Sequence, residues 1–256
     1  MSLEFVFLGT CAADFSPLLK TVYRDKFDFD ARRASCAIIN GRYLLDCGPH
    51  CPDSLRIAGF DTRNITDIII THTHDDHFEQ ESISYIAKDH KINLWVRGDA
   101  SVPDMENVTV KRMKSYEKYE VSDGLSVTGL NANHDERFAP RHLLLELDGK
   151  KIFYGMDGGW LLNKTYAHLW KTRLDLCVLD CTCGDYLGDY RMGEHNSIPM
   201  IRLMLPSLYT VEAIDEHTLI YISHLAPSLH KSHAETVEIC KKDGINVAYD
   251  GEKIEI

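Results

Sequence analysis

Six consecutive residues, His72-Thr73-His74-Asp75-Asp76-His77, stand one residue, Thr71, beyond the apolar run Ile68-Ile69-Ile70. The apolar run reads as a buried strand. Leaving it, the chain crowds three imidazoles and two carboxylates into one turn. His72 and His74, two apart in extended backbone, can turn their rings toward one metal ion. Asp76 and His77, in the turn that follows, can reach a second ion a few ångströms away. Imidazole combined with carboxylate suits zinc, manganese or iron. Loops leaving buried strands are where chemistry is carried, and several of the 13 histidines stand at such places.

The surrounding pattern supplies the strands. Leu3-Leu8 reads as a first strand, and Thr10 to Arg33 as an irregular excursion. Its Phe15, Leu18, Tyr23, Phe27 and Phe29 are candidates to cap the site or to form a homodimer contact. Strands at Cys36-Ile39 and Tyr43-Asp46 are joined by Asn40-Gly41, a strong two-residue hairpin signal. Pro52 and Asp53 open a short helix that Gly59 closes. Beyond the histidine-rich turn we expect a helix over Glu79-Asp89 and strands at Asn93-Val96, Val108-Met113 and Leu125-Asn131. A hairpin of Leu143-Leu147 with Lys151-Tyr154 follows, then strands at Leu174-Asp180 and Thr218-Ser223. Helices are expected at Ile198-Leu205 and from Ser232 to Lys242, and the tail Val247-Tyr249, Lys253-Ile256 reads as a final hairpin across Asp250-Gly251. Hairpins first and strand–helix alternation later imply an α/β fold in layers: two mixed sheets face to face with helices outside.

Length and charge bound the rest. The 256 residues, 44% of them hydrophobic, can bury a full core, and residues 1–256 are read as one domain. No stretch approaches the roughly 20 apolar residues of a membrane span. The opening apolar run is too short for a signal peptide. A cytoplasmic protein with no membrane partner is the expectation, with its eight cysteines reduced. A net charge of -11 disfavours a large nucleic acid as partner and leaves a small-molecule substrate.

The pattern His-x-His-x-Asp-His after a strand resembles the signature of the metallo-β-lactamase superfamily, and the resemblance runs over nearly the whole chain. It implies the four-layered αββα sandwich of that family and a dinuclear metal-dependent hydrolase, with attack by metal-bound hydroxide. It adds His134 as a third ligand of the first metal, Asp157 as a bridging carboxylate and His224 as the last ligand of the second metal. Asp46, in Leu44-Leu45-Asp46-Cys47-Gly48, looks like the family's buttressing aspartate, fixing a ligand histidine's tautomer. His230 and His233 lie close to His224, but only His224 directly follows a strand. The implied metal set is His72, His74, Asp76, His77, His134, Asp157 and His224, holding two divalent ions, zinc or manganese, with iron also compatible.

Departures within the superfamily narrow the activity. Oxygen-reducing di-iron members place a glutamate where His74 stands, and the best-known β-lactamases a cysteine where Asp157 stands. The opening Phe7-Leu8-Gly9-Thr10, with Arg33 and Ser35, is similar to ribonuclease Z and to the cyclic phosphodiesterases associated with carbon-phosphorus lyase. In that branch a strand-ending aspartate is followed by a loop histidine that protonates the leaving group, and His195 in Gly193-Glu194-His195-Asn196-Ser197 fits it. The basic, Gly- and Pro-rich arm by which ribonuclease Z grips transfer RNA has no counterpart here. The resemblance thus implies a phosphodiesterase for small or cyclic diesters, with Asp76 and His195 as catalytic residues. The rival enzyme is a carboxyl-ester, lactone or thioester hydrolase using the same metals, and a metal-dependent binding module is the rival outside enzymes.

Overall fold

In the computed structural model, which describes residues 3–256, the first strand shows why the fold has four layers. Phe5 and Phe7 point one way and Val6 and Leu8 the other, and all four are fully buried. A strand apolar on both faces needs a cover on both. The elements in chain order are β1 (Glu4–Gly9), β2 (Cys36–Ile39), β3 (Tyr43–Leu45), α1 (Cys51–Ala58), β4 (Asp67–Ile69), α2 (Gln80–Ala87), β5 (Ile92–Arg97) and β6 (Val108–Met113). Then follow β7 (Lys118–Ser122), β8 (Leu125–Asn131), β9 (Arg141–Leu147), β10 (Lys150–Gly155), α3 (Asn163–His168), β11 (Leu176–Asp180), α4 (Ile198–Thr210), β12 (Leu219–Ser223), α5 (His233–Lys241), β13 (Asn246–Val247) and β14 (Lys253–Glu255).

The strands form two seven-stranded mixed sheets, β14-β1-β2-β3-β4-β5-β6 and β13-β12-β11-β10-β9-β8-β7. Phe5, Phe7, Leu45, Ile69 and Trp95 of the first sheet meet Leu143, Leu145, Tyr154 and Val178 of the second in the central core. The opposite face of the first sheet is covered by α1 and α2 through Leu55, Ile83 and Ile86. The outer face of the second is covered by α4 through Ile201, Met204 and Leu208, with Cys240 of α5. This is the α/β, four-layered αββα arrangement expected, and no helix among the described residues is long and apolar enough to cross a membrane. All eight cysteines are free and buried.

Four expectations need correction. The tail is not a hairpin: β13 pairs in parallel with β12, and β14 runs antiparallel to β1 in the other sheet. The chain crosses between sheets at Asp250, whose buried carboxylate accepts from the Thr10 hydroxyl at 2.8 Å and the Arg33 amide at 2.7 Å. A strand at Lys118–Ser122 and a helix at Asn163–His168 were not anticipated. The strand is a sheet edge with no fully buried residue, and the helix has no apolar period. Finally, α4 continues past Leu205 through Pro206 to Thr210. Proline there deprives one carbonyl of its partner, but burial of Leu208 on the same face holds the last turn.

Buried and half-buried histidines outside the site make an acid-stability prediction. His142 of β9 lies against Phe153 with ring centroids 5.3 Å apart, and burial pushes its pKa from 6.5 down to about 4. Burial likewise takes His50 and His230 down to about 4. Each is neutral when folded and titrates normally when unfolded, so its stabilisation is complete above pH 6.5 and drains away as pH falls toward 4. For His142 alone the loss is on the order of 3 kcal/mol. Melting temperatures across this window should fall steeply in the native protein and less steeply in His142→Leu. Superimposable pH profiles would refute the assignment.

Candidate metal centre

The site lies where strands of both sheets end. β4 leads into Thr71 and the turn from His72 to His77, β3 into Asp46, β8 into the loop with His134, β10 into Asp157, and β12 into His224. Asp46, Asp157 and His224 have positive φ of 61°, 41° and 58°. A left-handed residue without glycine costs about 1–2 kcal/mol, and the turn it makes swings each side chain off the strand's alternation and onto the common site. Gly48 has a different duty. A Cβ there would lie 2.0 Å from the Asp76 carbonyl oxygen, so only glycine lets the chain leaving β3 pass beneath the histidine-rich turn.

The predicted ligands come together as two groups sharing one carboxylate. In the first, His74 Nδ1 lies 2.8 Å from His72 Nε2 and 3.0 Å from His134 Nε2, and Asp157 Oδ2 lies 3.3 Å from His72 Nε2. In the second, His77 Nε2 lies 3.1 Å from His224 Nε2, 3.3 Å from Asp76 Oδ2 and 3.1 Å from Asp157 Oδ1. Each set of atoms lies mutually within 4.8 Å. Ligands at about 2.05 Å around a tetrahedral zinc stand about 3.3 Å apart. The spacings are near that edge length.

Outer partners fix which ring nitrogen faces inward. His77 Nδ1 donates to Asp46 Oδ2 at 2.9 Å, His72 Nδ1 to Thr71 Oγ1 at 3.1 Å, and His224 Nδ1 to Thr182 Oγ1 at 2.7 Å. Thr71 in turn donates to Asp46 at 2.9 Å. Each Nε2 is thereby left with its lone pair directed into the cluster.

Charge supplies the test of whether a metal fits. Asp46, Asp76, Asp157 and Asp180 are all buried, and no lysine or arginine among the described residues forms an ion pair with any of them. Burial alone would raise the Asp157 pKa, but the His224, His77 and His72 rings override it and hold the carboxyl well below its usual range. Burial lowers the pKa of His72, His74 and His134. Against burial, neighbouring carboxylates hold His77 and His224 well above normal. Buried carboxylates with only imidazoles for company call for cations. The donor set fits metal ions.

His195 stands beside the cluster, its ring stacked on His224 at 5.6 Å and 4.9 Å from the His134 ring. Its Nδ1 donates to Asp180 Oδ2 at 2.8 Å. Burial favours its neutral form, but Asp180 outweighs this and raises its pKa. Sequence reasoning noticed Asp180 only as a strand end and missed its role: it also lies 3.4 Å from His224 Nδ1 and accepts from the Asn196 amide at 3.0 Å. Thr182, which places its hydroxyl 3.0 Å from His195 Nδ1 and 2.7 Å from His224 Nδ1, was missed altogether, as was Thr71. The likeness of Asp180 to Asp46, each an aspartate at a buried strand's end, was the available signal. A cavity of about 1390 Å³ opens over the cluster, lined by His74, Asp76, His134, Asp157, His195 and His224 among others.

Residues 36–102 match the family model described as anti-Pycsar protein Apyc1. Over 166 residues the chain is 25% identical to the RNase J-like protein of Methanocaldococcus jannaschii, covering 57% of this chain and 38% of that one. Among solved structures it is similar to the metallo-β-lactamase fold protein YhfI from Bacillus subtilis, with a TM-score of 0.75 and 13% identity over 100% of both chains. It is also similar to a diphosphatase from the PhnP family, with a TM-score of 0.71 and 18% identity over 100% of this chain and 98% of that one. The chain therefore has the metallo-β-lactamase fold.

Proposed function

We propose that this chain is a dinuclear metal-dependent hydrolase acting on small or cyclic phosphodiesters. The observation that carries the reading is the Asp180–His195 pair, set against the two ligand groups with Nδ1 of His195 engaged at 2.8 Å and its side chain lining the cavity. His72, His74, His134 and Asp157 would hold one ion and Asp76, His77, His224 and Asp157 the other. Zinc or manganese suits these donors, and iron is compatible. When bound, such a pair supplies Lewis acidity and a deprotonated water at neutral pH.

The protein's own groups do the rest. Asp46 and Thr71 keep His77 and His72 in the ligating tautomer. His195 presents Nε2 to the departing oxygen; as the P–O bond breaks, that oxygen takes the Nε2 proton, and Asp180 offsets the charge the ring carries beforehand. A leaving alkoxide needs this proton. A carboxyl ester would need, besides such a proton, an oxyanion donor for its tetrahedral intermediate. The eight free thiols support a reducing, cytoplasmic setting.

Hydrolysis of bis(p-nitrophenyl) phosphate should be compared with p-nitrophenyl butyrate and a simple lactone on zinc- and manganese-loaded protein, with His72→Ala as control. Metal-dependent turnover of the diester, lost in the control, is the expected result. Turnover of the ester or lactone alone would replace this reading with a carboxyl-ester hydrolase.

A further inference from the structure

His72, His77, His134 and His224 turn Nε2 toward the ligand cluster, and three of these rings have an outer partner on Nδ1 at 3.1 Å or less: Thr71 for His72, Asp46 for His77 and Thr182 for His224. His134 is the exception. Its Nε2 lies 3.0 Å from His74 Nδ1 and 3.6 Å from Asp157 Oδ2, so the ring is committed to the first group. Its Nδ1 is buried and has no hydrogen-bond partner among the described residues. A histidine that gives Nε2 to a metal keeps its proton on Nδ1, and a buried N–H left without an acceptor is destabilising. The position calls for an acceptor.

One stands close by. Glu194 Oε2 lies 3.8 Å from His134 Nδ1, just beyond hydrogen-bond range. Its side chain is 56% exposed, and no lysine or arginine among the described residues pairs with it. Arg137, close enough to feel its charge, is held by Asp135, and Arg191 of its own loop is held by Asp189. The backbone sets Glu194 and His134 opposite each other. Asn133, the neighbour of His134, donates Nδ2 to the carbonyl of Gly193, the neighbour of Glu194, at 3.2 Å. The Gly159 amide, two residues beyond the shared carboxylate of Asp157, donates to the Asn133 carbonyl at 3.1 Å. On the other side of Glu194, the His195 ring lies 4.9 Å from the His134 ring. The two loops are thus fastened on both sides of the 3.8 Å gap, and turning the exposed Glu194 side chain is enough to close it.

Resting on the reading of this cluster as a metal centre, we infer that Glu194 is the outer partner of His134, a positioning residue that accepts the Nδ1 proton and holds the ring as a ligand of the first group. An outer carboxylate fixes the ring's orientation and makes it a stronger donor to a metal. Because His195 follows Glu194 directly, the same contact fastens the loop that carries His195 to the first group.

Zinc titrations against a competing chromogenic chelator, run on metal-stripped native protein, Glu194→Ala and Glu194→Gln, test this without recourse to turnover. Glu194→Ala should hold one of its ions about 10- to 100-fold more weakly, the range typical of losing such a partner. Glu194→Gln keeps an acceptor oxygen and should recover much of that loss, although a neutral acceptor is weaker than a charged one. The side chain is exposed, so melting temperatures of the three metal-free proteins should agree, which separates a lost ligand support from a lost fold. Equal zinc affinity in Glu194→Ala and the native protein would overturn the inference. So would equal losses in Glu194→Ala and Glu194→Gln, which would reduce Glu194 to a charge acting at a distance. Native protein that binds no zinc would remove the metal centre as well as the inference.

Discussion

Asp157→Ala should bind fewer than two metal equivalents and lose turnover by about 10³-fold or more, which corresponds to about 4 kcal/mol of transition-state stabilisation. Asp157 is the only residue present in both ligand groups, its Oδ2 3.3 Å from His72 Nε2 and its Oδ1 2.7 Å from His224 Nε2. Removing it deprives both groups of a ligand and leaves His77 and His224, whose protonation it favours, without that compensation. Metal content by plasma emission, measured beside kcat/KM, checks this. Two full equivalents with undiminished turnover would show that Asp157 bridges nothing.

The second large effect is expected at Asp180→Asn, and it should depend on the leaving group. Asp180 contacts the imidazoles of both His195 and His224, so the substitution disturbs the proton donor and one candidate ligand together. With a cyclic nucleotide, whose leaving group is an alkoxide, we expect a loss of about 10²–10³-fold. With bis(p-nitrophenyl) phosphate, whose phenolate leaves without a proton, the loss should be much smaller. His195→Ala should show the same contrast. The pH profile adds a sign. Asp180 raises the His195 pKa, and a proton donor works only below its pKa, so the alkaline limb for the cyclic substrate should move to lower pH in Asp180→Asn. Equal losses on both substrates, with an unmoved alkaline limb, would reduce Asp180 to a support for His224.

How legible the site was depends on how local each part is. The turn from His72 to His77 was readable because its ligands are neighbours in sequence, and the strand before it, Ile68-Ile69-Ile70, declares itself by being wholly apolar. His134, Asp157 and His224 are scattered over 90 residues, and only the resemblance to a known family joined them to that turn. Thr71 and Thr182 gave no signal, since a threonine hydroxyl becomes a clamp only when two rings and a carboxylate come within 3.5 Å of it. The tail misled for the opposite reason. Asp250-Gly251 is a good local turn, yet Asn246–Val247 and Lys253–Glu255 belong to different sheets.

By itself, the sequence determined the elements and the chemistry on offer. Runs of apolar residues between turn signals need only the order of residues along the chain, and so does the clustering of imidazoles after a strand. What only the tertiary structure decided is which nitrogen of each histidine faces the cluster, and that Asp180 serves two rings at once. These depend on distances between residues far apart in the chain, set by the register of two sheets packed face to face, and no local pattern encodes that register.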